Sequence, residues 1–120
     1  MRTIVDTDPE TPGAGPITRF ILLVLWQARK DGATDLILGV PHSDGSGTPI
    51  RYKVEGTWYD MSPFPSHIRP SVVAELERMA GLSPSVRDGI LDRTLGGVRL
   101  LWRVQMTRPE AECTLTPVAP

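Results

Sequence analysis

The sequence predicts an α+β domain: an antiparallel sheet with helices packed on one face. Three observations carry this reading. The patterns run helix, three strands, helix, three strands, without βαβ alternation. Apolar and polar residues alternate in VRLLWRVQM, residues 98–106, with Leu101 the exception, as on a half-buried antiparallel strand. Tight glycine-containing connections occur at Glu55–Gly56 and Gly96–Gly97.

Each element has its own signal. Pro16 suits the first turn of a helix, because the N–H it lacks would have no partner there. Ile17, Phe20, Ile21, Val24, Leu25 and Ala28 follow the helical period, and Arg29 and Lys30 sit in the last turn before Gly32. A helix over 16–30 follows. DLILGV, 35–40, reads as a buried strand and PHSDGSGTP, 41–49, as a loop. Strands are expected over 50–55 and 57–61. The prolines of SPFPSHIRP, 62–70, place that segment outside the sheet. A second helix is expected from Ser71, its N-cap, to Gly81, its stop, burying Val72, Val73, Leu76 and Met79. SPSVRDG, 83–89, reads as loop. Strands over 90–95, 98–106 and 112–116 complete the chain.

At 120 residues the chain has the length of one domain and can bury a core without a disulfide or metal. The expected organisation is a leader over 1–15, a single domain over 16–117 and a tail over 118–120. The leader carries Pro9, Pro12, Asp6, Asp8 and Glu10 and lacks the apolar density to pack. The net charge of −1 gives no field that attracts nucleic acid or an anionic membrane. The one cysteine, Cys113, allows no internal disulfide and fits a reducing compartment. The longest apolar run, FILLVLW at 20–26, is far shorter than the ~20 residues a bilayer needs. A cytoplasmic protein without membrane insertion is expected.

The motifs of chemistry are sparse. No GxxxxGK[ST] loop exists, and DGSGTP lacks the lysine and the following helix. His42 follows Pro41 and His67 lies two residues after Pro65, neither with an HxxxH or CxxC partner, so no metal site is expected; Asp44, two residues from His42, is the nearest approach to one. No serine sits in a GxSxG elbow. Asp88 and Asp92 are near in sequence, with nothing to raise either pKa. No catalytic residue and no cofactor site is assigned.

What remains is a set of cations and aromatics on strands: Arg51, Lys53, Arg99 and Arg103, with Trp58 and Tyr59. Were the strands holding 51–53 and 99–103 neighbours, the four cations would share a face able to meet an anion or a partner. The ordinary alternative is a solvated sheet face, and the low aromatic content of 6% favours it over nucleic-acid binding.

The order of segments also carries a resemblance. GATDLILGV, then IRYKVEGTWYD, then VVAELERMAGL, then RDGILD, then VRLLWRVQM and RPEAECTLT follow one another over residues 17–116. This resembles the amino-terminal domain that precedes the motor in type II secretion and type IV pilus ATPases, with RYKVEG and RMAGL the most specific pieces. The resemblance implies a PAS-like fold, and it places Arg51 and Lys53 at the family's basic strand positions, where arginines can approach nucleotide phosphate. Lysine is the poorer phosphate fork. Other motif residues depart. The family's Asp-Ile-His-Ile-Glu is Asp35-Leu36-Ile37-Leu38-Gly39 here, and its Gln-Asp-Gly-Arg is Arg87-Asp88-Gly89-Ile90. No Walker motif is present.

A free-standing relative without the motor domain is therefore expected. It would be non-catalytic and would dock on a secretion or pilus-assembly component, or on a second copy of itself. The alternative is a small-ligand or nucleotide-sensing regulatory domain, with a ligand held between sheet and helix or by the four strand cations.

Overall fold

A computed structural model describes residues 15–41 and 43–118. Apart from Gly15 and Val118, the leader and the tail lie outside the described residues, as does His42. The elements are α1 (Pro16–Lys30), β1 (Asp35–Leu38), β2 (Thr48–Val54), β3 (Thr57–Phe64), a 3-10 turn at Ser66–Ile68, α2 (Arg69–Ala80), β4 (Asp88–Leu95), β5 (Val98–Gln105) and β6 (Cys113–Pro117). The six strands form one antiparallel sheet in the order β3-β2-β1-β6-β5-β4.

Side-chain alternation explains the layers. Leu36 and Leu38, Ile50, Leu91, Leu100, Trp102 and Val104, and Cys113 and Leu115 point from their strands to one face and are buried. Both helices cover that face, with Ile21, Leu22, Leu25 and Ala28 from α1 and Val72, Val73, Leu76 and Met79 from α2 completing the core. The space left between helices and sheet is about 20 Å³, lined by apolar residues including Phe20, Leu36 and Leu76. The arrangement is a compact α+β fold, as expected. Among the described residues no helix is long and apolar enough to cross a membrane.

Turns set the connections. Glu55 (φ 50°) and Gly56 (φ 83°) take the left-handed conformations of a two-residue hairpin loop, joining β2 to β3 as predicted. Gly81 closes α2 at φ 72°. Gly89 has no room for a Cβ, which would collide with the Ala80 carbonyl, so glycine lets β4 pass close under the end of α2.

Several boundaries differ from expectation. Ser62 and Pro63 belong to β3 and not to a separate proline-rich connection. β3 is an edge strand, and the register shifts between its Met61 and Phe64, so Pro63 falls where the regular ladder is interrupted. Ser71 is not the N-cap of α2: the helix starts at Arg69 after Ile68, with Pro70 in its first turn and no side-chain cap. β4 starts at Asp88 and β2 at Thr48, each earlier than the apolar pattern suggested, while β1 ends at Leu38.

Candidate functional site: the open sheet face and its β3 edge

The face of the sheet away from the helices is uncovered among the described residues. It carries every cation proposed from sequence, because Arg51, Lys53, Arg99 and Arg103 alternate with the core-facing positions of β2 and β5. The strands are not neighbours, however. β1 and β6 lie between β2 and β5, which separates the two pairs by about 14 Å at ordinary strand spacing. One four-cation cluster is therefore replaced by two separate groups.

The β5 group is neutralised within the sheet. Arg99 meets Asp92 in a two-pronged pair, Nε–Oδ1 3.0 Å and Nη2–Oδ2 2.8 Å. Arg103 grips Asp88 likewise, with Nε–Oδ1 at 3.0 Å. Their donated hydrogen bonds and charge hold the Asp88 and Asp92 carboxyls below the usual range and raise the guanidinium values. Each two-pronged pair uses two of the five N–H donors of its arginine and balances its charge, which weakens the pull on an added anion.

The β2 group is arranged around an aromatic ring. Lys53 stands opposite Trp58 and Arg51 opposite Asp60 in the β2–β3 register. Arg51 Cζ lies 5.2 Å and Lys53 Nζ 5.6 Å from the Trp58 ring centroid, within cation–π range. Arg51 Nε is 3.4 Å from Asp60 Oδ1, an exposed pair worth little energetically. Tyr59 does not join this cluster. It points to the helix side, opposite Tyr52 with ring centroids 6.0 Å apart. The Tyr52 hydroxyl donates to Asp31 Oδ2 at 3.0 Å; desolvation and that carboxylate push the phenol up.

Beside the cluster lies a hollow of about 460 Å³, whose lining includes Val40, Pro49, Arg51, Asp60, Met61 and Glu112. One cation faces two carboxylates there, a poor match for phosphate. A second hollow, about 390 Å³, lies among Pro41, Pro70, Val73, Glu77 and Pro109. Among the described residues no three His, Cys, Asp or Glu side chains gather in a metal-holding arrangement.

No family model matches this chain, and no curated protein matches it either.

Two arginines that the sequence did not single out tie the helices and loops to the sheet. Arg69, 6% exposed, donates from Nε to Gly39 O (2.9 Å), from Nη1 to Pro109 O (2.8 Å) and from Nη2 to Ala111 O (2.9 Å). It ties the β1–β2 and β5–β6 connections to the start of α2. Burial lowers its pKa. Arg87 donates from Nε to Met106 O (2.9 Å) and from Nη1 to Glu77 Oε2 (2.9 Å), joining α2 to β5. In sequence both look like surface cations beside turns. Their partners are backbone carbonyls distant in the chain, and no local pattern encodes those.

Proposed function

We propose that this chain is a non-catalytic protein-interaction domain, related to the amino-terminal domains of type II secretion and type IV pilus ATPases. It acts in the cytoplasm and docks on a secretion or pilus-assembly partner or on a second copy of itself. The packing of both helices on one face of an antiparallel sheet fits the PAS-like arrangement that the resemblance implies. The observation that carries the reading is the β2–β3 edge, where Trp58, 37% exposed, stands between Arg51 and Lys53 on an uncovered face. Tryptophan and arginine are the residues that anchor protein interfaces. Nucleic acid is a poorer fit, because half of the strand cations are already forked on carboxylates.

The test is affinity capture from the native cell with the wild-type chain and with a Trp58→Ala, Arg51→Ala variant as paired baits. A secretion or pilus component recovered by the first and lost by the second supports the reading. Recovery of none by either bait counts against docking on such a component.

The 460 Å³ hollow beside Arg51 is ligand-sized and favours a second reading as a small-ligand sensor; the nucleotide form of that reading is the weaker one, because Asp60 and Glu112 face the one cation there. The interior space of about 20 Å³ would hold at most a water, so a ligand would sit outside the core. ATP or a cyclic dinucleotide at about 100 times its Kd would add about 2.7 kcal/mol to stability; an unchanged melting temperature removes the nucleotide form of this reading, and native mass spectrometry that finds no copurified ligand counts against the small-ligand form.

A further inference from the structure

The geometry points to a specific occupant of the β3 edge: a second copy of this chain, its β3 antiparallel to the first across a two-fold axis at Tyr59. This rests on the interaction-domain reading above and names the partner.

The backbone of β3 is poised for pairing. Lys53 O accepts from Thr34 N and Pro49 O from Gly39 N, so alternate β2 residues from Pro49 to Lys53 turn their backbone groups toward β1. Lys53–Trp58 and Arg51–Asp60 are then the non-hydrogen-bonded pairs of the hairpin. It follows that the N–H and C=O groups of Trp58 and Asp60 point away from β2. Among the described residues no strand lies there, since β3 ends the sheet.

Register selects the symmetry. β3 pairs regularly with β2 only over Thr57–Met61, before the irregularity at Ser62 and Pro63. A two-fold axis that overlays this whole segment on itself passes through Tyr59. It pairs Trp58 with Asp60 of the second copy in both directions, so the outward N–H and C=O groups of these residues exchange four hydrogen bonds. Centring on Asp60 would set two carboxylates face to face, which is unfavourable.

Charge follows the same pattern. Across the joined outer face, each row would read Lys53, Trp58, Asp60 of the copy, Arg51 of the copy, alternating cation, ring, anion and cation. On the helix side Tyr59, 49% exposed, would meet its own copy between the two Tyr52 rings. The opposite edge differs. β4 carries Asp88, Asp92 and Arg93, charges of the kind that blunt an edge against pairing. The regular part of β3 carries only Asp60.

Sedimentation velocity of the full chain across a concentration series tests this. A monomer–dimer equilibrium is expected, in the weak range that a short edge-to-edge contact supports. Asp60→Pro removes the outward N–H together with the carboxylate and should raise the dimer Kd at least tenfold, whereas Asp60→Ala loses the same carboxylate but keeps that N–H and should retain the dimer. Paired residues on the axis bring their Cα atoms to about 4.5 Å, within disulfide reach. Mild oxidation of Tyr59→Cys should therefore give a covalent dimer, and oxidation of Thr57→Cys should not. A chain that stays monomeric at every concentration overturns the proposal and leaves docking on a different protein standing. Equal dimerisation of Asp60→Pro and Asp60→Ala, or cross-linking at Thr57→Cys in preference to Tyr59→Cys, overturns the interface itself.

Discussion

Arg69 Nε donates to the carbonyl oxygen of Gly39 across 2.9 Å, joining the first residue of α2 to the end of β1. The same guanidinium bonds Pro109 O and Ala111 O, so three loop carbonyls depend on one side chain. These hydrogen bonds of the cation all go to carbonyl oxygens, and burial lowers its pKa against the opposing charge of Glu110; three carbonyl dipoles offset the cost of burial. Arg69→Ala would leave three acceptors short of a donor and open space beneath α2. The expected loss is about 3 kcal/mol, or roughly a 15 °C fall in melting temperature for a domain of this size. Arg69→Lys should lose most of the same stability, because an ammonium cannot span the three directions of the fork. A melting point within a few degrees of wild type for Arg69→Ala would show that the clamp contributes little.

The sheet's outer ion pairs make a pH prediction. Asp88 and Asp92 have depressed carboxyl pKa values in the folded chain, first because Arg103 and Arg99 donate hydrogen bonds to them. Glu75 is depressed as well, first by Arg78 and then, against its own burial, by the Thr18 hydroxyl that links α1 to α2. A depressed folded value means that these groups stabilise the protein above the ordinary carboxyl range and lose that contribution as pH falls through the folded values. Urea midpoints should hold steady near neutrality and decline below about pH 4. Asp88→Asn combined with Asp92→Asn should flatten part of that decline, and added salt should mimic the flattening. An acid limb identical in the double variant and wild type would contradict the assignment.

These examples separate what the sequence made legible from what it did not. Helix α1 was readable to its end residues, because periodicity, an N-terminal proline and a C-terminal glycine all agree over Pro16–Lys30. The hairpin at Glu55–Gly56 was readable for the same reason: local chemistry and local conformation coincide. Strand adjacency was not. Nothing within β2 or β5 states that β1 and β6 lie between them, since that order is settled by non-local pairing. The pairing of Arg99 and Arg103 with carboxylates was hidden likewise. It depends on the β4–β5 register, which sets Asp92 diagonal to Arg99 and Asp88 diagonal to Arg103. Pro63 misled through a sound rule applied without knowing that β3 is an edge strand.

Thr48 offers a gain of stability. It is fully buried, 0% exposed, and its Oγ1 has no hydrogen-bond partner. A buried hydroxyl without a partner costs about 1–3 kcal/mol relative to water. Valine has the same branched shape and suits the same strand. Thr48→Val should therefore be neutral or raise stability by about 1 kcal/mol, read as a higher urea midpoint with an unchanged slope. A clear loss of stability would mean that the hydroxyl has a bonding role.

Cys113 should behave as an inert thiol until the structure opens. It is 0% exposed on β6, and burial pushes its pKa up to about 12, with Arg69 and Arg87 pulling the other way. The thiolate is the reactive form. Moving a thiol from its ordinary value to about 12 cuts the thiolate fraction at pH 8 by about a thousandfold before steric protection is counted. Labelling of the native chain by a disulfide reagent should thus follow opening of the sheet, accelerate through the urea transition, and show no fast phase. Arg69→Ala should label faster than wild type. Losing that cation alone would raise the thiol further, so a faster rate reports loosening of the β5–β6 connection that Arg69 ties down. Immediate stoichiometric labelling of the wild-type chain in buffer would contradict the burial of β6 and, with it, the packing of the helices over this face of the sheet.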